Sequence, residues 1–210
     1  MFYTIVQFMG KHPMPVCVLV FRRALCTADH LMQQLLNVGE FVHCEFYIPC
    51  VVNQHFPAGV SVSNFSCHTM NLYANLADEY YAKPGLYTGV SIELDADEYN
   101  LLLNYLFTLA ERKTPYNYVD LLWQIMPSKI SNVFVTDSVV VDSKSVCRLY
   151  CAQAMLLALR NCLKPGQLRE AIAHHRDRTV LPQELYDSAR DVSSRSSKIR
   201  LLSFETRHTF

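Results

Sequence analysis

Apolar residues fall along this chain in short continuous runs, alternations and three-four periods. Val16 to Phe21 is a continuous apolar run closed by Arg22-Arg23, which predicts a buried strand. From Asp29 to Val38, Leu31, Leu35 and Val38 share one helical face, and Gly39 ends the helix. Phe41 to Ile48 alternates. As a strand it puts His43, Glu45 and Tyr47 on one face, expected to look to solvent, and Val42, Cys44, Phe46 and Ile48 on the other. Val60 to Cys67 alternates again behind a turn supplied by Pro57 and Gly59. Met70 to Gly85 has no clean period and predicts a surface loop or flap. Tyr87 to Leu94 reads as a strand. Asp95 to Arg112 reads as a helix with Asp95 as N-cap, Glu98 completing a capping box, and Leu102, Leu103, Leu106 and Ala110 as its buried stripe.

A turn at Thr114-Pro115-Tyr116-Asn117-Tyr118 leads to a short amphipathic helix, Val119 to Met126, and then a strand-like run, Val133 to Val141. After the polar turn Asp142 to Ser145, a second long helix carries Ala152, Met155, Leu156, Leu159 and Leu163 on one face and stops at Pro165-Gly166. Leu168 to Arg178 is helix-like and Pro182 to Val192 is a last helix. These elements predict an α+β protein, one domain over residues 1–190 with a mobile Ser- and Arg-rich tail over 191–210.

Composition narrows the function. The 210 residues carry 19 Lys and Arg against 19 Asp and Glu, and the basic residues are spread out. Phosphate binding needs a basic patch, so nucleic acid is not the expected partner. No apolar run approaches the ~20 residues of a membrane span, so stable membrane insertion is not expected. Met1 to Gly10 lacks the charged and apolar regions of a signal peptide. Eight cysteines without regular spacing, and without a Cys-x-x-Cys pair, do not read as a disulfide framework. The expectation is reduced thiols, a cytoplasmic setting, and neither metal nor cofactor.

The candidate chemistry lies where the polar turn enters the second long helix. A thiol there meets unpaired backbone N–H groups and the positive end of the helix dipole. Both favour the thiolate, which is the nucleophile, and the same N–H groups can hold an oxyanion. Cys151 is the candidate, with Cys147 its rival one turn earlier. The plainer alternative is that both thiols only fill the core. Thiol hydrolysis also needs an imidazole and a group that orients it. His43 is the candidate imidazole, with His55 and His68 as rivals. Glu45, two residues along the same strand face, can orient the ring, and so can Ser61, Ser63 or Asn64 on the next strand.

The order of these features resembles the permuted branch of the NlpC/P60 papain-like superfamily, which has bacterial, lecithin:retinol-acyltransferase-like and large-DNA-virus members. In that branch the His strand precedes the Cys helix. Val18-Leu19-Val20-Phe21-Arg22-Arg23 resembles its opening strand, and Phe41-Val42-His43-Cys44-Glu45-Phe46-Tyr47 its His-x-Glu strand. Pro115-Tyr116-Asn117-Tyr118 resembles its aromatic turn, Leu149-Tyr150-Cys151-Ala152-Gln153-Ala154-Met155 its nucleophile motif, and Leu181-Pro182-Gln183-Glu184-Leu185-Tyr186 a following Ser-Pro-x-x-Leu-Tyr element. Ala152 and Gln153 depart from the family's Ser and Glu, at positions that perform no chemistry. The resemblance selects Cys151 over Cys147. It implies a papain-like fold with a small antiparallel sheet packed against the catalytic helix. It also implies a peptide, isopeptide or acyl substrate, and a cytoplasm that is the host's for a viral member. The implied catalytic residues are Cys151 and His43, with Glu45 added on its own strand position. Tyr116, Tyr118 and Ser63 are the implied oxyanion or substrate-binding residues, and Tyr73, Tyr80 and Tyr81 candidates to line a groove.

Three other readings compete. A silent papain-like fold would bind a protein partner through the same cleft. A soluble thiol acyltransferase would pass the acyl group to an acceptor other than water. A structural zinc module would use Cys147, Cys151, His174 and His175, whose spacing is not that of usual structural-zinc sites.

Overall fold

The computed structural model describes residues 14–36, 39–49, 59–63, 69–74, 76–117, 149–176 and 180–205. The elements are β1 Val16–Arg23, α1 Thr27–Leu36, β2 Phe41–Ile48, β3 Val60–Ser63, β4 Asn71–Tyr73, α2 Leu76–Ala82, a 3-10 turn Pro84–Leu86, β5 Tyr87–Glu93, α3 Ala96–Glu111, α4 Cys151–Cys162, α5 Gln167–Ala171, α6 Pro182–Ser193 and β6 Ile199–Ser203. The expected helix Val119–Met126 and strand Val133–Val141 lie outside the described residues, as do Cys147, Tyr118, Asn64, His55 and His68.

An open six-stranded sheet in the order β4-β3-β2-β1-β5-β6 organises the chain. Every neighbouring pair is antiparallel. The continuous apolar run of β1 is central and buried, as such runs must be when both sheet faces are covered. Cys17, Leu19 and Phe21 face one core with Cys44, Phe46, Val62, α3, α4 and α6, while Val18 and Val20 face a second core with Tyr47, Tyr80, Tyr87 and Phe204. The protein is therefore α+β with helices on both faces of an antiparallel sheet.

Helix α4 is buried on nearly all sides: Cys151 to Leu159 and Cys162 are all in the interior. An all-round apolar helix belongs in the centre of a domain. It packs between α3 and β2, which sets its first residue beside the strand that carries His43. Helix α3 starts as its sequence predicts, with Asp95 accepting from the N–H groups of Asp97 and Glu98, and Glu98 reaching back to the Asp95 N–H. Gly59, at φ +89°, brings the chain into β3, and a Cβ there would lie 2.7 Å from the Ile48 carbonyl oxygen. Only glycine fits such a conformation and approach.

Four expectations are corrected. Met70 to Gly85 is not a surface loop: it holds β4, α2 and the 3-10 turn, and Tyr80 is fully buried. The face of β2 with His43 and Glu45 does not look to solvent, because α2 and Phe204 cover that side of the sheet and every residue of β2 is buried. Residues 191–205 are not a free tail. Helix α6 runs to Ser193, β6 adds an edge strand to β5, and Phe204 closes the second core. Ile199 in the large core, and Leu202 and Phe204 in the second, hold this segment down, whereas the serine and arginine turn between α6 and β6 dominates the local composition. Leu31, expected on the buried face of α1, is 55% exposed. That helix is tied to β1 by the Arg22–Asp29 ion pair at 2.7 Å instead.

Candidate active site

The site forms where the start of α4 meets the His43 end of β2. Cys151 is the first helical residue, after Tyr150 in an extended conformation (φ −88°, ψ 171°). Its N–H belongs to the first turn, which lacks preceding helical carbonyls. Gln153 Oε1 accepts the Tyr150 N–H at 3.3 Å and fixes the point at which the helix begins. The Pro115 turn closes on the same point: Leu149 N–H donates to Pro115 O at 3.0 Å, and Asn117 Nδ2 lies 3.5 Å from Gln153 Oε1. The helix start is thus tied to the turn that follows α3, across residues 118–148.

Among the described residues, β3 pairs with β2 only at Phe46, Tyr47 and Ile48. The stretch His43-Cys44-Glu45 lies at the end of that ladder, and Cys151 adjoins it. The Cys151 sulfur takes hydrogen bonds from the Cys44 thiol, the His43 imidazole and the Cys44 backbone N–H. The side chains of His43 and Cys44 belong to opposite faces of β2, and a group at the strand's edge meets both.

The ring of His43 is held from its far side. Nε2 lies 3.0 Å from Ser63 Oγ and 3.6 Å from Glu45 Oε2. Glu45 Oε1 accepts from Tyr80 Oη at 2.7 Å, and Tyr80 Oη lies 2.9 Å from Ser61 Oγ. A chain of side chains therefore runs Ser61–Tyr80–Glu45–His43–Cys151 through the sheet. His43 is 7% exposed, Glu45 3% and Cys151 6%.

Charges in this interior stand only because they are paired. The hydrogen bond from the Cys44 thiol is the strongest influence on Cys151. Together with the His43 charge, it holds the Cys151 thiol well below the ordinary thiol range, against burial. Burial opposes charge on His43, but the Cys151 thiolate and then Glu45 raise its pKa to about 9. Burial likewise opposes charge on Glu45, and His43, Ser63 and Tyr80 together bring its pKa below the usual carboxylate value. Burial and then the Cys151 sulfur push Cys44 the other way, well above the ordinary thiol range. Two cysteines in contact thus take opposite roles, one the anion and one the proton donor.

The structure brings Cys151, His43, Glu45 and Ser63 together. Ser63 bonds the imidazole and also lines the small cavity that Cys151 lines. Tyr116 packs in the large core and Tyr80 in the second, so neither lies on an open groove. Cys44 is not among the candidate site residues, and Tyr80 is expected only to line a groove, not to hold Glu45. Alternation puts Cys44 on the face of β2 away from His43, which reads as core. Its adjacency to a candidate imidazole at a strand end was the available signal. No group of three or more His, Cys, Asp or Glu among the described residues has the arrangement to hold a metal ion, and Cys151 is engaged with His43 and Cys44. Among the same residues, no helix is long and apolar enough to cross a membrane. Comparison of the chain with protein-family models, with curated proteins and with solved structures gives no match, so the geometry of these residues carries the functional argument.

Proposed function

We propose that this protein is a thiol hydrolase of the permuted NlpC/P60 papain-like type, acting on an amide, isopeptide or (thio)ester bond. The observation that carries this reading is the hydrogen-bonded Cys151–His43 pair at the first residue of a buried helix, with His43 Nε2 held by Ser63 and Glu45. A core cysteine needs no such partners. Cys162, at the other end of the same helix, has its pKa pushed up to about 11 by burial alone.

In this mechanism the Cys151 thiolate adds to the substrate carbonyl carbon. The carbonyl oxygen becomes an oxyanion next to the first-turn N–H groups of α4, the Cys151 N–H first among them. His43, protonated at rest, gives its proton to the leaving amine, alcohol or thiol as the C–N, C–O or C–S bond breaks. The neutral imidazole then takes a proton from water, and the hydroxide that forms releases the acyl group from Cys151. Glu45 and Ser63 keep the ring turned and stabilise its charge through this cycle. An acceptor other than water would make the same site an acyltransferase. A cytoplasmic setting, the host's for a viral source, goes with this reading through the resemblance of His43-Cys44-Glu45 to the His-x-Glu strand of viral-type members.

The test is a panel of electrophilic acyl and ubiquitin-type probes on the full chain. The reading predicts covalent capture of at least one probe class at Cys151, lost in Cys151→Ala and in His43→Ala. Capture that persists in Cys151→Ala would refute it. A protein partner retained equally by both variants, with no probe captured, would favour the silent binding fold.

A further inference from the structure

We propose that Cys44 is a resolving thiol for Cys151, so that peroxide converts the pair to a reversible Cys44–Cys151 disulfide that shuts the site. The inference rests on the reactive Cys151 thiolate of the proposed function but not on its acyl chemistry. Three observations support it. The Cys44 thiol and its backbone N–H both hydrogen-bond to the Cys151 sulfur, so the two sulfurs are already neighbours. Both cysteines line one small cavity with Val62, Met70 and Met155, which has room for about one water-sized molecule beside the sulfur. Cys44 sits next to His43 on β2, so a bond between the sulfurs also removes the partner of the imidazole. A thiolate with a neighbouring thiol is the usual arrangement for reversible oxidation.

The chemistry balances with a hydroperoxide as oxidant. The Cys151 thiolate attacks one peroxide oxygen, the O–O bond breaks, and hydroxide leaves with the electron pair, leaving Cys151 as sulfenic acid. The Cys44 sulfur then attacks the sulfenyl sulfur. The S–O bond breaks, and the hydroxide takes the Cys44 proton to leave as water. The two sulfurs lose two electrons and the peroxide gains them, giving two waters once the first hydroxide is protonated by solvent. Burial keeps Cys44 protonated until the thiolate beside it has been oxidised. After oxidation no negative charge opposes its attack.

The experiment uses the reduced full chain treated with hydrogen peroxide and mapped by mass spectrometry without reduction. The expected product is a peptide pair joined through Cys44 and Cys151. Iodoacetamide labelling of Cys151 falls about tenfold or more and is restored by dithiothreitol. In Cys44→Ser, and equally in Cys44→Ala, dimedone traps sulfenic acid on Cys151, further peroxide drives it to sulfinic acid, and dithiothreitol restores nothing. The proposal is overturned if wild-type Cys151 proceeds to sulfinic acid without a disulfide, or if it pairs with another cysteine while Cys44 stays reduced. If Cys151 labels readily before oxidation yet forms no disulfide with Cys44, this inference alone fails. If Cys151 resists labelling from the outset, the proposed function fails with it.

Discussion

Tyr80 Oη donates to Glu45 Oε1 at 2.7 Å, from the layer of the protein opposite the helix that carries Cys151. The bond gives α2 a role beyond covering the sheet, because it satisfies one oxygen of a fully buried carboxylate while the other faces His43 at 3.6 Å. Tyr80→Phe keeps the ring that packs on Tyr87 and Phe204 and removes only the donor. The expected loss is about 1–3 kcal/mol of stability, the usual cost of stranding a buried polar atom. Urea melts of the two proteins measure it.

Glu45 raises the pKa of His43, after the Cys151 thiolate has done so. In the proposed mechanism His43 must be protonated to release the leaving group, so turnover fails as pH rises through about 9. Glu45→Gln removes one of the charges holding the imidazolium, and the alkaline limb moves toward neutral pH. A pH–rate profile on whichever acyl probe is turned over gives the shift. A limb that stays in place would mean that Glu45 does not act on the ring.

The ion pair has its own signature in stability. His43 moves from 6.5 in the unfolded chain to about 9 when folded, so its contribution is complete below pH 6.5 and lost as pH rises through about 9. Cys151 moves down from 9.0, so its contribution is complete above pH 9.0 and lost as pH falls through its lowered value. Between pH 6.5 and 9 the two changes cancel: the folded pair and the unfolded pair hold the same number of protons. Below pH 6.5 the unfolded chain binds one more proton than the folded chain, and the pair's contribution falls by about 1.4 kcal/mol per pH unit. Denaturant melts of wild type against the Cys151→Ala/His43→Gln double variant, taken from pH 5 to pH 9 as about one unit per step, should give a plateau and then a decline on the acid side.

Much of this arrangement could be read from residue patterns. The two strands β1 and β2 and the helices α3 and α6 follow directly from apolar runs, alternation and the Asp95/Glu98 capping box. His43 and Cys151 stand out because a strand face with two ionisable groups and a thiol at a helix start are each chemically distinctive. What covers His43 was not readable. Helix α2 has only seven residues, too short to establish a period, and its Tyr80-Tyr81 pair gives no one-sided pattern. Its stability comes from packing on the sheet, a tertiary effect that local propensity does not carry. The Cys44 contact was hidden for a different reason. Alternation assigns neighbours to opposite faces, and it fails at the end of a ladder, where a third element can approach the strand from its edge.

Docking of the chain end is testable too. Deleting residues 199–210 removes β6 from the edge of β5 and Phe204 from the second core, where it packs on Tyr80 and Tyr81. The truncated protein should lose about 3–5 kcal/mol from the missing aromatic side chain alone, and Phe204→Ala should reproduce that part of the loss. A deletion with an unchanged melting curve would show the chain end to be dispensable.

The start of α4 depends on an acceptor at position 153, since Gln153 Oε1 holds the Tyr150 N–H. Gln153→Leu removes the acceptor within the interior and should cost about 1–2 kcal/mol and slow alkylation of Cys151 as the helix start loosens. Gln153→Glu keeps an acceptor at the positive end of the helix and should lose less.

The central claim is a thiolate–imidazolium pair between Cys151 and His43. Iodoacetamide labelling of the native protein across pH, resolved cysteine by cysteine, tests it most directly, and Cys162 in the same helix is the internal standard. The account predicts that Cys151 alkylates fastest of the eight cysteines and stays reactive well below the about 8.5 of a free thiol, with that reactivity lost in His43→Ala. A Cys151 that reacts no faster than Cys162, at any pH, would contradict it.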